Sequence, residues 1–276
     1  MPLPLLQSDR IGARFAHGFT TRAGGVSAPP YDTLNLGGKW GDEPAHVSEN
    51  RRRLAEAVGG APFIARQVHG IAIRRVRADD DPAEVARAEA DGLCTDVPGQ
   101  VVGVFVADCV PVLLADPRTG ACAAVHAGWR GTVAGILPAA VRALASEFGS
   151  RPSDLRVALG PAIGPCCFEV GLEVAEAVVA AIPEARARAI VLPSPRGRAD
   201  KAHVDLHAAN RLLLERAGVD PAAIDVVDLV DQSRACTHHD RARFFSFRRD
   251  GAATGQQMGV IRAGGAPALE GARPRL

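Results

Sequence analysis

The chain has 276 residues, 47% of them hydrophobic, and its 32 basic and 31 acidic side chains leave a formal net charge of +1. That length and apolar fraction support one large buried core, and the even charge balance, with no basic stripe in either half, argues against a nucleic-acid partner. The N-terminal MPLPLLQSDRIGARFAHGF has no apolar run after a basic start, and no segment approaches the roughly 20 apolar residues that span a bilayer, so the expectation is a cytoplasmic protein with no membrane partner.

In chain order, residues 18–41 (GFTTRAGGVSAPPYDTLNLGGKWG) are dense in Gly, Pro, Ser and Thr and read as turns joining short strands, with Asn35 inside the loop. EPAHVSENRRRLAEAVGG places Val47, Leu54, Ala55 and Val58 at helical intervals and stops at Gly59. FIARQVHG and IAIRRVR read as strands parted at Gly70, and VVGVFVAD and ACAAVHAG as doubly buried strands, neighbours in one sheet. Val133 to Phe148 carries one apolar helix face, with Pro138 marking a kink or a second start. LRVALG reads as a strand, GLEVAEAVVAAI as a helix stopped by Pro183, and DLHAANRLLLERAGV as a helix capped by Asp205 and ended at Gly218. IDVVDLV closes the alternation as a strand, FFSF is strand-like, and the tail at 263–276 reads as frayed. The pattern is that of a single-domain α/β sandwich with a mixed sheet, its core at about 17–262. A monomer is the default expectation, and six cysteines, two of them adjacent, read as reduced thiols and not as a disulfide framework.

Cys109 and His126 follow two of these apolar runs, where open α/β sheets place ligand-binding loops, and His69 falls at a third strand end. One thiolate and two imidazoles suit zinc, and three protein ligands leave a fourth position open, as in catalytic sites. None of the three has the close spacing that marks a metal site. On spacing alone, Cys109 as a small buried hydrophobe and His126 as a hydrogen-bonded core residue are the favoured account of the pattern. HVDLH sets His203 and His207 four apart without the Glu of H-E-x-x-H, and Asp205 as cap puts His203 outside the helix. CTHHD offers Cys236, His238 and His239, which read as solvated loop residues. HAGWRGT, with Gly128 and Gly131 bracketing Trp129 and Arg130 before a helix, combines free amides with a guanidinium and reads either as an anion site or as a tight turn. Arg248 and Arg249 follow FFSF, and GPAIGPCCFEVG is a constrained loop carrying Glu169.

Taken together, TLNLG, QVHG, ADCVPVLL, AAVHAGWRGT, GPAIGPCCFEVG and CTHHDRARFFSFRRDGAATG resemble, in order from about residue 17 to residue 262, the YfiH family. Its members were long labelled laccase-domain or polyphenol oxidase proteins and are now described as purine nucleoside phosphorylases. The resemblance implies a single α/β domain of the YfiH type and zinc bound by His69, Cys109 and His126. It also implies phosphorolysis of adenosine, inosine and S-methyl-5'-thioadenosine to base and pentose 1-phosphate, together with deamination of adenosine to inosine. On that reading Glu169 or Asp108 serves as general acid/base, Arg130 and Arg248 clamp phosphate, Asn35 contributes to substrate binding, and a purine nucleoside and phosphate are the partners. Cys167-Phe168-Glu169 departs from the usual Cys-Tyr-Glu, and TGQQ stands where the family has Thr-Gly-Arg, so a phenol and a guanidinium are missing.

Three other readings use the same residues. The older label implies a copper polyphenol oxidase, but the eight histidines contain no His-x-His pair, which sets Cu2+ below Zn2+. Without metal, Cys109 as nucleophile and His126 as base make a cysteine-type hydrolase, for which the family suggests editing of peptidoglycan precursors. A zinc that only staples loops needs a fourth protein ligand, such as Cys122 or Cys236.

Overall fold

The computed structural model describes residues 3–227, 229–230, 233–234 and 236–264; the tail expected to fray lies outside them from residue 265. From the N-terminus, β1 (Leu5–Leu6) and β2 (His17–Thr20) precede α1 (Pro44–Val58), followed by β3 (Pro62–Phe63), β4 (Ile73–Arg75) and α2 (Pro82–Arg87). The central run is β5 (Gly92–Thr95), β6 (Val101–Val106), β7 (Val110–Ala115), β8 (Cys122–Ala127), α3 (Trp129–Ala134), α4 (Ile136–Phe148) and β9 (Arg156–Leu159). Then come β10 (Glu169–Gly171), α5 (Leu172–Ala181), β11 (Val191–Pro193), β12 (Lys201–Val204), α6 (Leu206–Arg216), β13 (Ile224–Val226), β14 (Leu229–Val230), β15 (Ser233–Arg234), α7 (Phe247–Asp250) and β16 (Gln257–Arg262).

Two mixed sheets, ordered β1-β2-β16-β6-β3 and β13-β9-β7-β8-β5-β4, stack face to face. Side-chain alternation along the strands shows the layering. Val110, Val112 and Leu114 of β7 face the cluster built with α4, α5 and α6, whereas Leu113 and Ala115 face Phe19, Val102, Val104 and Ile261 of the other sheet. On β16, Met258 and Val260 turn away from that interface to meet Leu54 and Val58 of α1. A strand buried on both faces has no polar side to show, hence the continuous apolar runs. The expected α/β sandwich with mixed sheets is borne out.

The local signals hold where short-range chemistry sets them. Gly59 ends α1 in the left-handed conformation, and the Asp205 carboxylate accepts from the Ala208 amide to cap α6. Pro138 lies in the first turn of α4, a second helix start after the break at Gly135, whose φ is 87°. Three expectations are corrected. FIARQVHG is not a strand beyond Phe63, where β3 ends, so His69 lies in a loop and not at a strand end. The VVGVFVAD and ACAAVHAG runs are not neighbours in one sheet: β6 belongs to the five-stranded sheet and β8 to the six-stranded one. FFSF is not a strand; Phe244 and Phe245 are buried in a loop, and Ser246 caps the short α7 through the Arg249 amide.

Candidate metal centre

β7 and β8 pair antiparallel, with Pro111 opposite His126, so Cys109, just before β7, comes to the end of β8 where His126 sits. His69 joins them from the loop after β3, in the left-handed region at φ 61°. One donor atom from each of His69, Cys109 and His126 lies within 4.8 Å of the others. The three meet at the end of the gap between the two sheets, with β6 contributing Phe105 and Val106 to the same cavity.

Asp91, fully buried just before β5, organises this trio. Its carboxylate accepts from the amides of Val68 (3.0 Å), His69 (2.9 Å) and Gly70 (2.7 Å) and lies 2.8 Å from His126 Nδ1. Three consecutive amides on one carboxylate hold His69 in its unfavourable backbone conformation, a cost of order 1–3 kcal/mol that the surroundings must offset. With Nδ1 directed to Asp91, Nε2 of His126 is left for a ligand, the usual carboxylate–histidine arrangement behind a metal. Neither spacing nor residue type singled Asp91 out in the sequence.

Burial pushes the Cys109 thiol up, but the His126 and His69 imidazoles outweigh it and bring it down to about 6. Burial disfavours the His126 imidazolium, yet the Cys109 thiolate and Asp91 raise it to about 9. Burial likewise works against the Asp91 anion, but His126 and the Gly70 and Val68 amides hold it below the usual carboxylate range. A thiolate and two imidazoles, one already oriented by a carboxylate, fit a zinc-type ion, and the backbone makes room for it. A Cβ on Gly128 would stand 2.9 Å from Cys109 Sγ and 3.1 Å from His69 Cδ2. No further His, Cys, Asp or Glu among the described residues joins the trio; Cys122 lies at the opposite end of β8 and Cys236 elsewhere. All six cysteines are free thiols, as expected.

The trio opens into a cavity of about 780 Å³, within the range of small-molecule sites. Trp40 and Phe247 stand at one wall with ring centroids 5.5 Å apart, and Lys39, Arg66 and Arg248 supply positive charge. Arg248 Nη1 donates to the Glu169 carbonyl at 2.7 Å, and the guanidinium lies over the Phe168 ring. Asp108 lines the cavity at φ 94°, its carboxylate accepting from Thr237 Oγ1 and the Arg248 amide, both at 2.6 Å. The Glu169 carboxylate instead meets Ser194, Arg198 and His203. Asn35 is buried and shapes the rim, donating to the Gly37 carbonyl and Asp42 and accepting from the Gln256 amide. Arg130 is exposed, stacked over Trp129, and does not line the cavity. His203 and His207 stay apart from the trio, their rings on the Pro165 and Gly160 carbonyls.

A model of the family described as "Multi-copper polyphenol oxidoreductase laccase" matches residues 16–264. The chain belongs to that family. It is 41% identical to a purine nucleoside phosphorylase of Deinococcus radiodurans over 98% of this chain and 95% of that protein. It is 42% identical to a purine nucleoside phosphorylase of Streptomyces coelicolor over 92% and 98%. Among solved structures, the Bacillus licheniformis hypothetical protein YfiH superposes with a TM-score of 0.84 at 34% identity, covering 95% of this chain and 97% of that one. The laccase-family membership and the YfiH likeness agree with the motifs read in sequence.

Proposed function

We propose that the chain is a zinc-dependent purine nucleoside phosphorylase that cleaves adenosine, inosine and S-methyl-5'-thioadenosine and also deaminates adenosine. The observation that carries this is the juxtaposition of His69, Cys109 and His126 with a cavity that has both aromatic walls and fixed cations. The names of its relatives support the phosphorylase part of this reading. The donor set and the lack of His-x-His support zinc over a copper oxidase. His69, Cys109 and His126 would hold the zinc, which would supply Lewis acidity when bound. The rest of the chemistry is the chain's own. Trp40 and Phe247 offer flat apolar surface for a purine, and Arg248 is positioned to bind phosphate as the glycosidic bond breaks and the ribose gains positive charge. Arg130 lies outside the cavity lining, and among the described residues Lys39 is the cation without a carboxylate partner that accompanies Arg248, since Arg66 is paired with Glu89. Of the two candidate acid/base carboxylates, Asp108 lines the cavity, whereas Glu169 does not and bears on it only through the carbonyl that holds Arg248.

The decisive experiment incubates purified, metal-quantified protein with adenosine, with and without phosphate, and separates the products. Adenine formed only with phosphate is the expected result; neither adenine nor inosine would overturn the proposal. A second reading rests on one specific observation. Asp91, His126 and Cys109 form a carboxylate–imidazole–thiol series in which the thiol is drawn down to about 6, the arrangement of a cysteine hydrolase. Turnover by metal-free protein, abolished by alkylating Cys109, would select that reading.

A further inference from the structure

A second group of soft donors lies outside the centre described above. Cys166 and Cys167, in the turn after Gly164, meet Cys236 and His239 from the segment before α7, and one donor atom from each lies within 4.8 Å of the others. The edges of a tetrahedral zinc–thiolate site are about 3.8 Å, from zinc–sulfur bonds of about 2.3 Å, so small side-chain rotations close the group around one ion. Cys236 is only 4% exposed, which corrects its reading as a solvated loop residue; His239 is exposed, as expected.

The backbone is built around these sulfurs. The Gly164 amide donates to Cys236 Sγ at 3.2 Å, and Cys166 Sγ stands 3.6 Å from His239 Nδ1. A Cβ at Gly164 would lie 3.3 Å from both Cys166 Sγ and Cys236 Cβ. Both segments are turned so that their donors converge. The Cys167 and Phe168 amides return to the Gly164 carbonyl, and the Asp240 amide returns to that of Cys236. Arg249, whose charge is paired with Asp250, donates to the carbonyls of Thr237 and His238, the two residues between the ligating positions, and so holds that segment in place.

We propose that Cys166, Cys167, Cys236 and His239 form a second zinc site, closed by four protein ligands and therefore structural. Binding releases the thiol protons to solvent, with no change of oxidation state. The ion joins the 164–168 turn to the 236–240 segment. Those pieces carry Phe168, which lines the cavity, and Thr237, which holds Asp108. The site braces one cavity wall and is independent of the activity proposed above.

The test is metal stoichiometry on the full chain, purified under reductant and loaded with zinc. Two equivalents are expected, falling to one in Cys109→Ser and to one in Cys236→Ser. The Cys109→Ser protein loaded with cobalt should show the intense thiolate charge-transfer bands of a tetrahedral site. If Cys236→Ser fails to fold, Cys109→Ser still asks whether the intact cluster holds metal, and His239→Ala, at an exposed position, should weaken retention of that one equivalent. A Cys109→Ser protein without zinc overturns the proposal. So does a disulfide among Cys166, Cys167 and Cys236 in the zinc-loaded wild type.

Discussion

At the residue scale, Asp91 is the side chain on which the geometry of the candidate metal centre depends, because one carboxylate orients His126 and pins the backbone of His69. Removing a carboxylate behind a metal-bound histidine lowers affinity or activity by about 10–100-fold. Asp91→Asn should therefore raise the zinc dissociation constant by that factor, as read by competition with a chromophoric chelator. The charge pair makes a second, pH-dependent prediction for protein stripped of metal. Cys109 is lowered, so its thiolate persists above about 6 and is lost as pH falls through that value; His126 is raised, so its imidazolium is lost as pH rises through about 9. The pair coexists between those limits. Iodoacetamide labelling of Cys109 should rise through pH 6 and then level off, and His126→Ala should move that rise toward the ordinary thiol range. Arg248 is expected to act on phosphate. A hydrogen bond to a charged group contributes about 1.5–3 kcal/mol, so Arg248→Ala should lower kcat/KM for phosphate by about 10–100-fold while leaving the zinc content unchanged.

At the scale of elements, the centre depends on where β8 ends. Gly128 follows β8 as the N-cap of α3, with φ −75° and ψ 167°, a conformation open to any residue, so its role is purely spatial. A Cβ there would press on Cys109 Sγ and His69 Cδ2. Gly128→Ala should cost most of the bound metal at the trio while circular dichroism remains that of the wild type; full retention of metal would show that the loop can yield. The helix stops, the Asp205 cap and the restart around Pro138 were legible because each depends on neighbours within a turn. FFSF was misread because two consecutive buried phenylalanines suit a strand as well as a packed loop, and only the Ser246 cap and tertiary burial distinguish them.

At the scale of the whole molecule, two stacked sheets with helices on both outer faces leave a cavity where the gap between them ends. Leu113, fully buried between the sheets, reports on that interface. Leu113→Ala should destabilise the fold by about 2–5 kcal/mol, seen as a lower midpoint of denaturant unfolding with an unchanged slope. Among the described residues, no helix is long and apolar enough to cross a membrane.

Read alone, the sequence determined the α/β class and the four longer helices, because periodicity and capping are local properties of the chain, and it pointed to His69, Cys109 and His126 as donors only through motifs that resemble those of the family. Only the tertiary structure decided that β6 and β8 lie in different sheets, that Asp91 stands behind His126, that Arg130 lies outside the cavity lining, and that Cys166, Cys167 and Cys236 share one locus. The physical reason is that apolar alternation says a strand is buried but not against which partner. Asp91 and His126 are 35 residues apart in the chain, and only packing brings such groups to a common site.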